Sequence, residues 1–106
     1  MIKVKFFHSK NDSPSGFEIS GHAGFASHGN DIVCSAVSSA AYMAANTIIE
    51  IMGIDAMADV SDGRMKILVP PESTDKSKDT LLGLELHLKE LSRQYPNNVT
   101  ITITEV

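Results

Sequence analysis

The chain has 106 residues, 42% hydrophobic and 21% charged, with nine Lys and Arg against thirteen Asp and Glu and a net charge of −4. That length and composition describe one globular domain with a single core. The basic residues are scattered along the sequence, whereas a nucleic-acid module pools Lys and Arg on one face, so direct nucleic-acid binding is not expected. The acidic balance suits a basic polypeptide partner instead. No apolar run near 18 residues stands out, so no membrane span is expected, and the N-terminus lacks the pattern of a secretory leader. The single cysteine builds no internal disulfide framework, which fits a reducing cytoplasm.

In chain order, Ile2, Val4 and Phe6 alternate with Lys3, Lys5 and Phe7, the pattern of a strand with one buried face. Residues 9–15 are turn chemistry, and Phe17 and Ile19 return as a second strand that ends at Gly21. Residues 22–31 carry Gly24 and Gly29 without periodicity and read as a mobile loop. Asp31 suits the N-cap of a helix over 32–52, with the apolar stripe Val33, Val37, Ala40, Ala44, Ile48 and Ile51 and a stop at Gly53. The first half of that helix is rich in Ser and Ala, which lets another backbone approach closely. Residues 55–60 and 64–69 flank Ser61-Asp62-Gly63, an Asp-Gly hairpin signal. A second helix over 75–94, capped by Ser73, Thr74 or Asp75, carries the stripe Leu81, Leu84, Leu88, Leu91 and Tyr95. Val99, Ile101 and Ile103 alternate with threonines in a last strand. The order ββαββαβ predicts an α+β, two-layer sandwich: a mostly antiparallel five-stranded sheet with two helices on one face, in one domain spanning 1–106.

The chemistry concentrates between Gly21 and Ser38. Taken alone, a single cysteine is ordinarily an inert core residue. Three features favour a nucleophile here. Cys34 falls in the first turn of the predicted helix, where the dipole favours a thiolate. His22 sits at a strand end, and the chain between them can double back. The intervening loop is glycine-rich. His22 could otherwise be a satisfied strand-end histidine, and His28 reads as a solvated loop residue. Asp31 reads as cap and loop anchor in preference to a group orienting His22. The Ser38 hydroxyl, one turn after Cys34, could bond the thiolate, the imidazole or a carbonyl, or simply permit close packing. His22, His28, Asp31 and Cys34 are zinc-ligand types, but their spacing matches no common zinc pattern; neither metal nor cofactor is expected. His8 and His87 look ordinary.

Gly21-His22-Ala23, then Gly29, then Asp31-Ile32-Val33-Cys34 and Ser38 resemble the signature of the ribosomal-processing cysteine protease Prp family, with length and element order similar along the whole chain. Ser35 stands where members more often carry alanine. The resemblance implies a bacterial homodimer, in keeping with the cytoplasmic setting expected from the single cysteine, that removes the N-terminal extension of large-subunit ribosomal protein twenty-seven, after a segment with paired phenylalanines. It implies Cys34 as nucleophile, His22 as general base and acid, and Gly21, Asp31 and Ser38 in support of the site. The loop bearing Ala23, Gly24, Phe25, Gly29 and Asn30 would rearrange to admit substrate. Two other readings of the same stretch are a non-catalytic peptide-binding module of ribosome assembly and a thiol redox sensor.

Overall fold

The computed structural model describes residues 1–21 and 28–106, with backbone alone for 28–31. The elements are β1 (Ile2–His8), β2 (Pro14–Ser20), α1 (His28–Asn46), β3 (Met57–Ser61), β4 (Arg64–Leu68), α2 (Thr74–Gln94) and β5 (Val99–Glu105). Five strands form one sheet in the order β3-β4-β2-β1-β5. The β1–β2, β2–β4 and β3–β4 pairs are antiparallel, while β5 lies parallel to β1. The expected two-layer α+β arrangement is therefore present, with one parallel pair at the edge.

Period-two alternation divides the sheet cleanly. Ile2, Val4, Phe6, Phe17, Ile19, Met65, Ile67 and Val99 are buried on one face, in the same cluster as Val33, Val37, Ala41, Ala44 and Ile48 of the first helical segment and Leu81, Leu84 and Leu88 of α2. Phe6 and Phe17 lie side by side in register, their ring centroids 6.3 Å apart. Lys3, Lys5, Glu18, Ser20, Arg64 and Lys66 point the other way and carry no helical layer among the described residues. Burying a Phe or Leu side chain contributes roughly 1.5–3 kcal/mol, so this shared cluster is what fixes both helices to the sheet.

The helices depart from the sequence expectation at their ends. The first starts at His28 instead of Ile32 and runs on as a π-helical turn over Thr47–Ile51. The wider turn rotates the last residues off the core stripe, so Ile48 is buried but Ile51 is 81% exposed. The segment ends where Gly53 takes φ +68°, with Met52 N–H donating to the Thr47 carbonyl and Ile54 N–H to that of Ile48. Before α2, a 3₁₀ turn over Pro71–Ser73 leads the chain in, and Ser77 turns its hydroxyl back onto the Ser73 carbonyl at 3.1 Å.

One expectation fails on composition. Residues 32–51 are long and apolar enough to cross a bilayer; interspersed Ser, Asn and Thr conceal this in a search for an unbroken apolar run. In the fold, the Val33–Val37–Ala41–Ala44–Ile48 stripe of that helix is the core of the sandwich. That buried stripe packs against the sheet, while Ile32, Tyr42, Met43 and Ile51 of the same span are exposed.

Candidate active site

The site is built where β2 gives way to α1. β2 ends at Ser20, and Gly21 follows with φ +86°, in the left-handed region where a side chain is strained. Its N–H donates to the Gly63 carbonyl at 3.2 Å, and a Cβ placed there would overlap the Met1 carbonyl oxygen. Glycine is required here by both conformation and space. The residue immediately before His22 is therefore clamped between the β1 end of the sheet and the β3–β4 turn.

His22, Ala23, Gly24 and Phe25 lie outside the described residues, as does the first part of the expected loop. The remainder of that expected loop is helical: His28, Gly29, Asn30 and Asp31 form the opening of α1. This moves two residues relative to the sequence expectation. Asp31 is inside the first turn, so it does not occupy the N-cap position. Cys34 is the seventh residue of α1 and lies in its second turn.

That displacement changes the electrostatics. The favourable field of a helix N-terminus decays within its first turn, and only the first four N–H groups lack intrahelical acceptors. The N–H of Cys34 falls within the helical ladder and is unsuited to binding an oxyanion, whereas those of residues 28–30 precede its first i→i−4 bond. Support for a thiolate at Cys34 must come chiefly from side chains.

Cys34 is half-buried and packs against the edge of the core cluster beside Val33 and Val37, so its sulfur sits on a rigid element with one side toward the surface. Ser38, one turn on, is likewise half-buried, on the same flank of the helix. Among the described residues no group of three His, Cys, Asp or Glu could hold a metal ion. Between the helices runs an apolar groove of about 700 Å³ lined by Ala36, Ala40, Met43, Gly83, Leu84 and His87, among others.

A buried ionisable cluster lies elsewhere, at residues the sequence gave no reason to pair. His8, only 6% exposed, sets Nδ1 2.9 Å from Asp12 Oδ1 and Nε2 2.7 Å from Glu85 Oε1. Lys89 donates to the other Glu85 oxygen at 3.0 Å. Burial lowers the imidazole pKa, but the hydrogen bonds to Asp12 and Glu85 outweigh it and leave it raised above 6.5. This cluster ties the end of β1 and the β1–β2 turn to α2.

The family described as Cysteine protease Prp matches residues 1–100. The ribosomal processing cysteine protease Prp of Bacillus subtilis is 33% identical over 108 residues, covering 96% of both chains. In fold, the chain superimposes on the Staphylococcus aureus ribosomal processing protease Prp in complex with a substrate peptide, with a TM-score of 0.89, 21% identity and coverage of 98% of this chain and 100% of that one. The same S. aureus protease with a covalently linked product peptide gives a TM-score of 0.86 at 22% identity, again covering 98% and 100%. The protein is accordingly a thiol peptidase built on a two-layer α+β sandwich. Within that class, the chain belongs to the Prp family of cysteine proteases.

Proposed function

We propose that the protein is a site-specific endopeptidase that removes an N-terminal extension from large-subunit ribosomal protein twenty-seven, with Cys34 as nucleophile and His22 as general base and acid. One observation carries the assignment of the nucleophile: a cysteine protease needs a thiol, and this chain has one cysteine. The relatives add the substrate class, since one is named for ribosomal processing and its S. aureus counterpart holds a substrate peptide.

In this reading His22 takes the thiol proton, and the thiolate attacks the scissile carbonyl carbon to form a tetrahedral oxyanion. The N–H groups at the start of α1, residues 28–30, are the backbone donors best suited to that oxyanion, because the Cys34 N–H is engaged within the helix. The C–N bond then breaks, the leaving amine receives its proton from His22, and a thioester remains on Cys34. Water deprotonated by His22 hydrolyses the thioester, releasing the extension's carboxylate and restoring the thiol. Gly21, fixed at the end of β2, supports the site from the position just before His22. Asp31 and Ser38 support the site, and Ala23, Gly24, Phe25, Gly29 and Asn30 belong to the segment that rearranges around substrate.

The reading includes a cytoplasmic homodimer formed through the outer face of α1, where Ile32, Tyr42 and Met43 are exposed beside small residues. A monomer mass by light scattering at micromolar concentration removes the dimer. Incubation with a peptide spanning the extension junction, read by mass spectrometry, tests the activity. Two fragments meeting at one bond support the endopeptidase, and an intact peptide that binds supports the non-catalytic module instead.

A further inference from the structure

The face of the sheet opposite the helices, uncovered among the described residues, has its own charge. Every Lys and Arg within the five strands lies on it: Lys3 and Lys5 of β1, Arg64 and Lys66 of β4. In register they form two cross-strand rows, Asp59–Lys66–Glu18–Lys5–Thr102 and Ser61–Arg64–Ser20–Lys3–Thr100. Both acids in those rows are bound to a single cation. Arg64 contacts Glu18 Oε2 at 2.7 Å and Asp59 Oδ2 at 2.8 Å. Lys3, Lys5 and Lys66 make no ion pair among the described residues. Four of the chain's nine cations and only two of its thirteen acids thus occupy this face, so it is positive although the chain carries −4.

The lysines are also placed to act together. Lys3 and Lys5 are two residues apart on one strand, about 7 Å, and Lys66 lies two strands from Lys5, about 10 Å. Lys66 Nζ is held 5.5 Å from the centroid of the Phe7 ring. Between β1, β2 and β5 a depression of about 180 Å³ is lined by Lys3, Lys5, Glu18, Ser20, Thr100 and Thr102, which supplies hydroxyl donors beside the two ammonium groups.

We propose that this face is a docking surface for single-stranded RNA, held through its phosphates by Lys3, Lys5 and Lys66. Charge complementarity identifies an anionic partner, and the composition of the rows favours nucleic acid over an acidic protein. Protein interfaces are anchored by exposed aromatic or aliphatic side chains; the two charged rows contain none, and the adjoining row of this face exposes one, Met57 at its β3 edge. Nucleic-acid interfaces are polar, basic and rich in hydroxyl contacts to phosphate. With Phe7 buried and covered by Lys66, no ring among the described residues of this face is offered for base stacking, so binding is electrostatic and independent of sequence. The linear scatter of basic residues pointed away from nucleic acid; the strand register gathers four of them. None of these lysines belongs to the thiol site, so the inference does not depend on the proposed peptidase reaction.

The test is fluorescence anisotropy with a labelled single-stranded RNA of mixed sequence, about 12 nucleotides long, titrated with the whole protein at several salt concentrations. Three neutralised phosphates give a slope of log K against log salt near −2, or about a 20-fold loss of affinity between about 50 and about 200 mM. In the double variant Lys3→Ala, Lys5→Ala the loss over that range shrinks to about threefold, and Lys78→Ala on α2 behaves as wild type. Thermal unfolding confirms that each variant is folded, and Lys66→Ala alone, with a slope near −1.4, serves if the double variant is not. Absence of binding at low salt, an unchanged slope in the lysine variants, or displacement of the RNA by polyglutamate of equal charge overturns the proposal.

Discussion

Three glycines in different surroundings give a graded test of how the chain enters the site. Replacing Gly83 with alanine adds a methyl to the exposed interior of α2, where nothing lies within 4 Å of the new Cβ, and removes the entropic cost of glycine. The expected gain is about 1 kcal/mol, or about 4 °C in Tm for a domain of this size. Gly53→Ala also meets nothing within 4 Å, but the residue has φ +68°. It incurs only the left-handed penalty of about 1–2 kcal/mol, a loss of about 6 °C. Gly21→Ala combines φ +86° with overlap against the Met1 backbone. Left-handed strain of about 1–2 kcal/mol and forced displacement of about 1–3 kcal/mol together give roughly 3 kcal/mol, and Tm falls by about 12 °C. Because Gly21 precedes His22, the displacement also reaches the site, where a shift of about 1 Å costs on the order of 10²-fold in rate. Differential scanning fluorimetry and peptide cleavage by the three purified variants make the comparison. Gly21→Ala matching Gly53→Ala in Tm and wild type in rate would refute the argument that close approach at Gly21 positions the site.

Other consequences follow from the core and from the buried histidine. Because the folded His8 pKa is raised, its contribution to stability is complete below the unfolded value of about 6.5 and is lost as pH rises through the folded value. Urea midpoints should therefore fall from about pH 6 towards about pH 9, and the dependence should flatten in His8→Gln; equal slopes would remove the linkage. His8→Ala leaves Glu85, only 7% exposed, with Lys89 as its remaining ion-pair partner, and should cost about 1–3 kcal/mol by denaturant titration at about pH 6. Phe17→Ala empties a fully buried site against Phe6 and should cost about 3–5 kcal/mol; a loss below 1 kcal/mol would mean that the cluster is not packed as described.

The strands were legible because one face is buried and the other wet, which forces apolar–polar alternation in Ile2–His8, Arg64–Leu68 and Val99–Glu105. What the sequence could not reveal was pairing without a turn to dictate it. β5 follows a helix, and nothing local says that it crosses to lie parallel beside β1. The start of α1 was hidden by its own residues. His28, Gly29 and Asn30 are poor helix formers, and Asp31 is a good cap, so local preference placed the boundary late while the fold extends the helix upstream. The π-turn that rotates Ile51 outward leaves no signature in an aliphatic run. His8 and Glu85 are 77 residues apart, and only the packing of α2 across the end of β1 joins them. At the site, the Gly21-His22 and Asp31-to-Cys34 pieces identify the chemistry because those residue types are few. The depth of Cys34 in the helix required the backbone.

The central claim rests on one thiol. Purified Cys34→Ala protein, shown by circular dichroism and Tm to be folded, is incubated with the junction peptide beside the wild type, and the products are weighed by mass spectrometry. The account predicts complete loss of cleavage with the peptide still bound, and the same loss in His22→Ala. Cleavage by folded Cys34→Ala at the wild-type bond would contradict it.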